Sequence, residues 1–144
     1  MTEKSCGTIP YTQKNGVFLY LLVKNRADGF CGFPKGHVES GETEEETAYR
    51  ETWEETSVRV NIHSGFRYEM SYPMTNGNQK TVVYFLADFR NQIPVRNHNF
   101  EDFLYLLLPY KEAYRKLTFE NTRVMLKEAH EFLIQQNEAD TARR

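Results

Sequence analysis

The chain has 144 residues, of which 40% are hydrophobic, 14% aromatic and 26% charged, with a formal net charge of −2. That is the make-up of a globular chain short enough for one domain around one core, and it excludes a disordered polymer. The near-neutral balance gives no global basic field, so nucleic acid is not an expected partner and any anionic ligand must be held by local cations. No apolar run is long enough to cross a bilayer, and residues 1–11 lack the charged-then-apolar layout of a signal peptide. The expected location is the cytoplasm, with no membrane partner. Cys6 and Cys31 have no zinc-type spacing and are expected to be reduced and buried. Nothing marks a large oligomer interface, so a monomer is expected.

In chain order, residues 7–13 and 16–25 read as two β runs joined by a Lys-Asn-Gly turn signal. Residues 26–36 carry glycine and proline in loop fashion, with a short strand through Phe33. A helix is expected over about 43–56: Thr43 followed by Glu46 fits a capping box, and early acids suit the positive end of the helix dipole. Residues 58–72 alternate in β fashion, 73–78 form a turn, and 79–89 form a strongly apolar strand. Residues 103–108 read as a short strand and 109–117 as a short helix. A last helix from about Phe119 to Gln136 carries Met125, Ala129, Phe132 and Leu133 at helical spacing, a stripe that reads as core packing. This order points to an α/β domain with a mixed sheet covered on both faces.

The most unusual stretch is 36–58, GHVESGETEEETAYRETWEETSV, which holds eight glutamates and one arginine. On a helix turning about 100° per residue, Glu51, Glu54 and Glu55 fall within an arc of roughly 100°. Like charges at such spacings destabilise a helix, so three crowded carboxylates call for a counter-charge. Carboxylate oxygens are hard ligands suited to Mg²⁺, with Mn²⁺ as the second candidate. Tyr49 and Trp53 point away from this arc, which leaves the helix one face to pack and one to coordinate. Arg50 can reach Glu42 in the preceding loop and brace it against the helix. Glu39, Glu44, Glu45 and Glu46 read as helix-start acids and solvated charge. A plain solvated acidic helix is the alternative.

The stretch resembles a Nudix box, GX5EX7REUXEEXGU with U aliphatic. Gly36, Glu42, Arg50, Glu51, Glu54, Glu55 and Val58 match it, seven of the nine specified positions. Thr52 stands at the first aliphatic position, and Ser57 stands where the second glycine belongs. A residue there is expected to be left-handed, at a cost of roughly 1 kcal/mol for serine. The resemblance implies a single Nudix-type α/β/α sandwich over 1–144. It also implies Mg²⁺-dependent hydrolysis of a nucleoside diphosphate linked to another group. The metal would be held by Glu51, Glu54 and Glu55 with the Gly36 carbonyl. A box glutamate or Glu101 would serve as general base.

Beyond the box, residues 34–37, 65–72, 80–87 and the last helix are similar to the asymmetrically cleaving diadenosine tetraphosphate hydrolases. That resemblance places Lys35, His37, Lys80 and Tyr84 at phosphate-contacting positions, and Tyr72 and Phe119 as an aromatic clamp for a purine. Stacking tolerates a Tyr-to-Phe change because the π-face binds. Three positions depart from the pattern: Cys31 stands where tryptophan is frequent, Phe30 where histidine is frequent, and Asn99 at a loop position often held by glutamate. The expected reaction is diadenosine tetraphosphate to AMP and ATP. The alternatives are a pyrophosphohydrolase of (d)NTPs or RNA 5′ ends, and a nucleotide-binding module without turnover.

Overall fold

The structure, a computed structural model, describes residues 2–95 and 103–142. Its elements are β1 (Thr2–Lys14), β2 (Val17–Asn25), β3 (Cys31–Gly32), β4 (Lys35–His37), α1 (Glu44–Thr56), β5 (Asn61–Pro73), β6 (Gln79–Asp88), β7 (Phe103–Pro109), α2 (Tyr110–Lys116) and α3 (Glu120–Ala142). The expected turn between β1 and β2 is realised by Asn15 and Gly16, with φ of 51° and 80°. Two successive left-handed residues match the twist of the strands they join. The expected loop at 26–36 is corrected: its short strand is at Cys31–Gly32 rather than through Phe33, and Lys35–His37 forms another strand. Backbone pairing with β1, invisible to local turn chemistry, imposes that extended segment.

The seven strands form one mixed sheet in the order β3-β2-β1-β6-β5, with β4 also on β1 and β7 also on β2. β1 runs parallel to β6 from Thr2↔Gln79 to Tyr11↔Asp88. Its other edge is shared. The first half pairs antiparallel with β4 (Ser5↔His37, Cys6↔Gly36, Gly7↔Lys35), and the second half with β2 (Tyr11↔Tyr20 to Lys14↔Val17). The sheet therefore forks at Gly7, where a Cβ would run into the Pro34 carbonyl oxygen. Only glycine permits that approach.

The period-two alternation of β6 feeds two cores. Val82, Tyr84 and Leu86 face Met125, Leu126, Ala129 and Leu133 of α3, whereas Val83 and Phe85 face Ala48 of α1. Helices thus cover both faces, as the sequence led us to expect. Both cysteines are reduced and buried. Among the described residues no helix is long and apolar enough to cross a membrane.

Helix α1 begins with the expected capping box, Thr43 accepting from the Glu46 amide and Glu46 from the Thr43 amide. It ends at Ser57, left-handed at φ 61°. Its packing face is Ala48, Thr52 and Thr56, all fully buried. Tyr49 and Trp53 do not form that face: Tyr49 is exposed, and Trp53 sits beneath Arg59 at 5.8 Å. Small residues let the helix lie close to β1, where Thr8 and Thr52 share a buried hydroxyl bond of 2.7 Å. The Thr52 and Thr56 hydroxyls also donate to carbonyls one turn back, so no buried donor is stranded on that face.

Candidate active site

The C-terminal half of α1, strand β4, and the first residues of β1 and β6 meet at one end of the sheet. Arg50 is the organising charge. Its Nε and Nη2 donate to the two Glu42 oxygens at 2.7 and 3.0 Å, Nη1 donates to Glu51 at 2.8 Å and Glu54 at 3.2 Å, and Nη2 also reaches the His37 carbonyl at 3.1 Å. Glu42 further accepts from the Thr47 hydroxyl and the Glu39 amide. Hydrogen bonds from Arg50, then from Glu39 and Thr47, hold the Glu42 carboxyl down to about 2. The expected Arg50–Glu42 brace therefore exists as a bidentate pair, and it ties the loop before α1 to the helix.

The box carboxylates are anchored from different sides. Glu51 lies half-buried against Gly36, and burial raises its carboxyl pKa, partly offset by Arg50. Glu55 accepts from the Lys35 amide at 3.0 Å. Among the described residues no three acidic, histidine or cysteine side chains converge into a preassembled metal cage. The donor set nevertheless fits a hard cation of the Mg²⁺ type, which binds through one or two carboxylates and completes its shell with water and substrate phosphates. The glycine at position 36 keeps the space beside Glu51 clear.

Cations line the opposite side. Lys80 is 5% exposed, and its Nζ donates to Ser5 Oγ at 2.7 Å and to His37 Nε2 at 3.2 Å. Lys35 is exposed on β4. Tyr72 is the cross-strand partner of Lys80 and is partly buried. Tyr84 is 2% exposed and belongs to the core, edge-on to Phe33, with burial pushing its phenol far up. Phe119 is not a core residue. It is 49% exposed just before α3, and its ring meets Phe30 edge-on at 5.1 Å. Cys31 and Thr118 set that pairing through reciprocal bonds, the Cys31 amide donating to the Thr118 hydroxyl at 2.7 Å and the Thr118 amide to the Cys31 carbonyl at 3.1 Å.

The sequence reading missed several members. Ser5 and Glu3 gave no local signal, because only the parallel pairing of β1 with β6 brings them to Lys80. Glu44 is more than a solvated acid. It accepts from Lys4 at 2.6 Å and from Arg67 at 2.8 and 2.9 Å, pinning the start of α1 to β1 and β5. Glu101, the alternative base, and Asn99 lie outside the described residues. A separate cleft of about 1000 Å³ opens at the far end of the sheet, lined by Tyr11, His63, Asp88 and Arg90, and includes no box residue.

A forked mixed sheet between helices, with a Gly36–Glu51 contact and an Arg50-braced acidic helix, defines a Nudix domain, and the NUDIX domain family model matches residues 1–129. The chain belongs to the Nudix family and is a hydrolase of phosphoric anhydride bonds. The family generally uses a divalent metal, usually Mg²⁺. Among its relatives is the mouse bis(5′-nucleosyl)-tetraphosphatase [asymmetrical], 33% identical over 144 residues that span 92% of this chain and 97% of the mouse protein. The rat protein of the same name is 32% identical over 143 residues, again 92% of this chain and 97% of its own. A crystal structure of a Caenorhabditis elegans Ap4A hydrolase binary complex superposes with a TM-score of 0.84 at 26% identity, covering 92% of this chain and 98% of that one.

Proposed function

We propose that this chain is a Mg²⁺-dependent dinucleoside polyphosphate hydrolase that cleaves diadenosine tetraphosphate asymmetrically to AMP and ATP. The observation that carries the reading is the gathering of carboxylates and basic side chains around β4 at one end of the sheet. Glu51, Glu54 and Glu55 lie on α1, and Lys35, His37 and Lys80 lie on β4 and β6. A polyphosphate needs both, cations for its oxygens and carboxylates to hold metal against it. The relatives in mouse and rat carry the same activity in their names.

In this reading Glu51, Glu54, Glu55 and the Gly36 carbonyl hold the metal. Bound there, the metal supplies Lewis-acid neutralisation of the phosphates and activation of a water. Arg50 orients Glu51 and Glu54 while Glu42 fixes Arg50. A box glutamate takes the proton from the attacking water. Lys35, His37 and Lys80 bind phosphoryl oxygens, with Tyr84 forming the floor beneath them. Tyr72 and Phe119 stack the purine, which tolerates either ring type. The enzyme works as a cytoplasmic monomer.

A substrate panel with Mg²⁺ tests this. The expected result is turnover of diadenosine tetraphosphate well above that of (d)NTPs and 5′-triphosphorylated RNA. Pyrophosphate release from an NTP as the main activity would contradict it. Binding without product for every substrate would mark a nucleotide-binding module instead.

A further inference from the structure

Among the described residues Lys80 is a buried cation without an ion-pair partner. Among the described residues no carboxylate lies within 4.0 Å of its Nζ. Its two partners are the Ser5 hydroxyl at 2.7 Å and His37 Nε2 at 3.2 Å. An ammonium carries three N–H donors and no acceptor. Two are spent within the protein, and their directions fix the third. A buried charge left one bond short is costly unless something anionic completes it. Burial accordingly lowers the lysine pKa.

The two acceptors are themselves set by strand register. Ser5 is opposite His37 across β1 and β4, and Glu3 is opposite Lys80 across β1 and β6. The His37 Nε2 that receives Lys80 lies 3.5 Å from Glu3 Oε1. Glu3 is held in turn by Asn78, whose Nδ2 donates to Oε2 at 2.9 Å. None of Ser5, Glu3 or Asn78 belongs to the box.

We propose that Ser5 is a positioning residue for Lys80. The pair is a preformed seat whose free ammonium N–H receives a phosphoryl oxygen of a nucleoside polyphosphate. The inference rests on the reading of Lys80 and His37 as phosphate contacts. Ser5 touches no substrate; it acts through the Lys80 ammonium. A seat aligned before binding saves the entropy of ordering a long lysine, so its loss falls on substrate affinity more than on the chemical step.

The test is a double-mutant cycle read in two ways: KM and kcat for diadenosine tetraphosphate, and Kd for inorganic tripolyphosphate with Mg²⁺. Ser5→Ala is expected to raise both KM and Kd about fivefold or more, with kcat within about twofold, the size of one charge-assisted hydrogen bond. In a Lys80→Met background the same substitution is expected to change neither. Equal effects in both backgrounds, or none in either, would overturn the proposal. Wild-type protein that leaves diadenosine tetraphosphate intact, yet shows the same coupling in tripolyphosphate Kd, would sink the substrate reading and leave the seat standing.

Discussion

Gly36 and the Glu51 carboxyl leave no room for a methyl group between them: a Cβ built on Gly36 would run into Glu51 Cδ and both of its carboxylate oxygens. Strand β4 is thus pressed against α1 at the point where the carboxylate with the raised pKa is placed. The family glycine at this position has a steric reason here.

Gly36→Ala is therefore expected to displace Glu51. Because β4 is held on β1 by register, the side chain must yield rather than the strand. The expected result is a loss of about 100-fold in kcat, the scale of an ångström-sized misplacement in an active site. Far-UV circular dichroism should be unchanged. Wild-type turnover in the variant would show that the Glu51 position is not used.

Glu54→Gln and Glu55→Gln remove charge while keeping shape. Each is expected to cut kcat by about 10²-fold or more and to weaken Mg²⁺ activation, because an amide oxygen is a poorer ligand for a hard cation. Near-normal rates in both variants would rule out the metal assignment. Glu45→Gln, on the exposed start of the helix, is expected to leave turnover unchanged.

Ser57 combines a left-handed φ of 61° with a buried hydroxyl that has no hydrogen-bond partner among the described residues. Both features favour glycine. Ser57→Gly is expected to raise unfolding free energy by about 1 kcal/mol, from relief of the left-handed strain alone. Urea denaturation would read this as a higher midpoint at constant slope. A lower midpoint would show that the serine makes a compensating interaction.

Acid sensitivity follows from two carboxylates. Glu42, through Arg50, and Glu44, through Arg67 and then Lys4, are held down to about 2 from an ordinary 4.5. A depressed folded pKa contributes stability that is present above the unfolded value and lost as pH falls through the folded one. Stability should decline between pH 4.5 and 2 from these two groups. Glu51, raised by burial, works in the opposite sense and favours the fold when protonated. Glu44→Gln is expected to flatten the decline in urea midpoint between neutral and acid pH. An unaltered slope would contradict the assignment.

Features whose causes are local were legible in the sequence. The capping box at Thr43, the extent of α1, the left-handed Ser57, the Arg50–Glu42 brace and the Asn15–Gly16 turn each depend on residues within a few positions of one another. Features that depend on register were not. Strand β4 exists only because β1 pairs with it, and Ser5 reaches Lys80 only through a parallel pairing between distant segments. The packing face of α1 was misread because large aromatics suggest a core, whereas close approach to the sheet selects Ala48, Thr52 and Thr56. The contact of Phe119 with Phe30 joins distant segments and required the tertiary fold to appear.

The central claim is asymmetric cleavage of a dinucleoside tetraphosphate at this site. Hydrolysis of diadenosine tetraphosphate in heavy-oxygen water, with product masses read by mass spectrometry, tests it most directly. The account predicts AMP carrying the heavy oxygen together with unlabelled ATP. Formation of two ADP molecules, or no product in the presence of Mg²⁺, would contradict it.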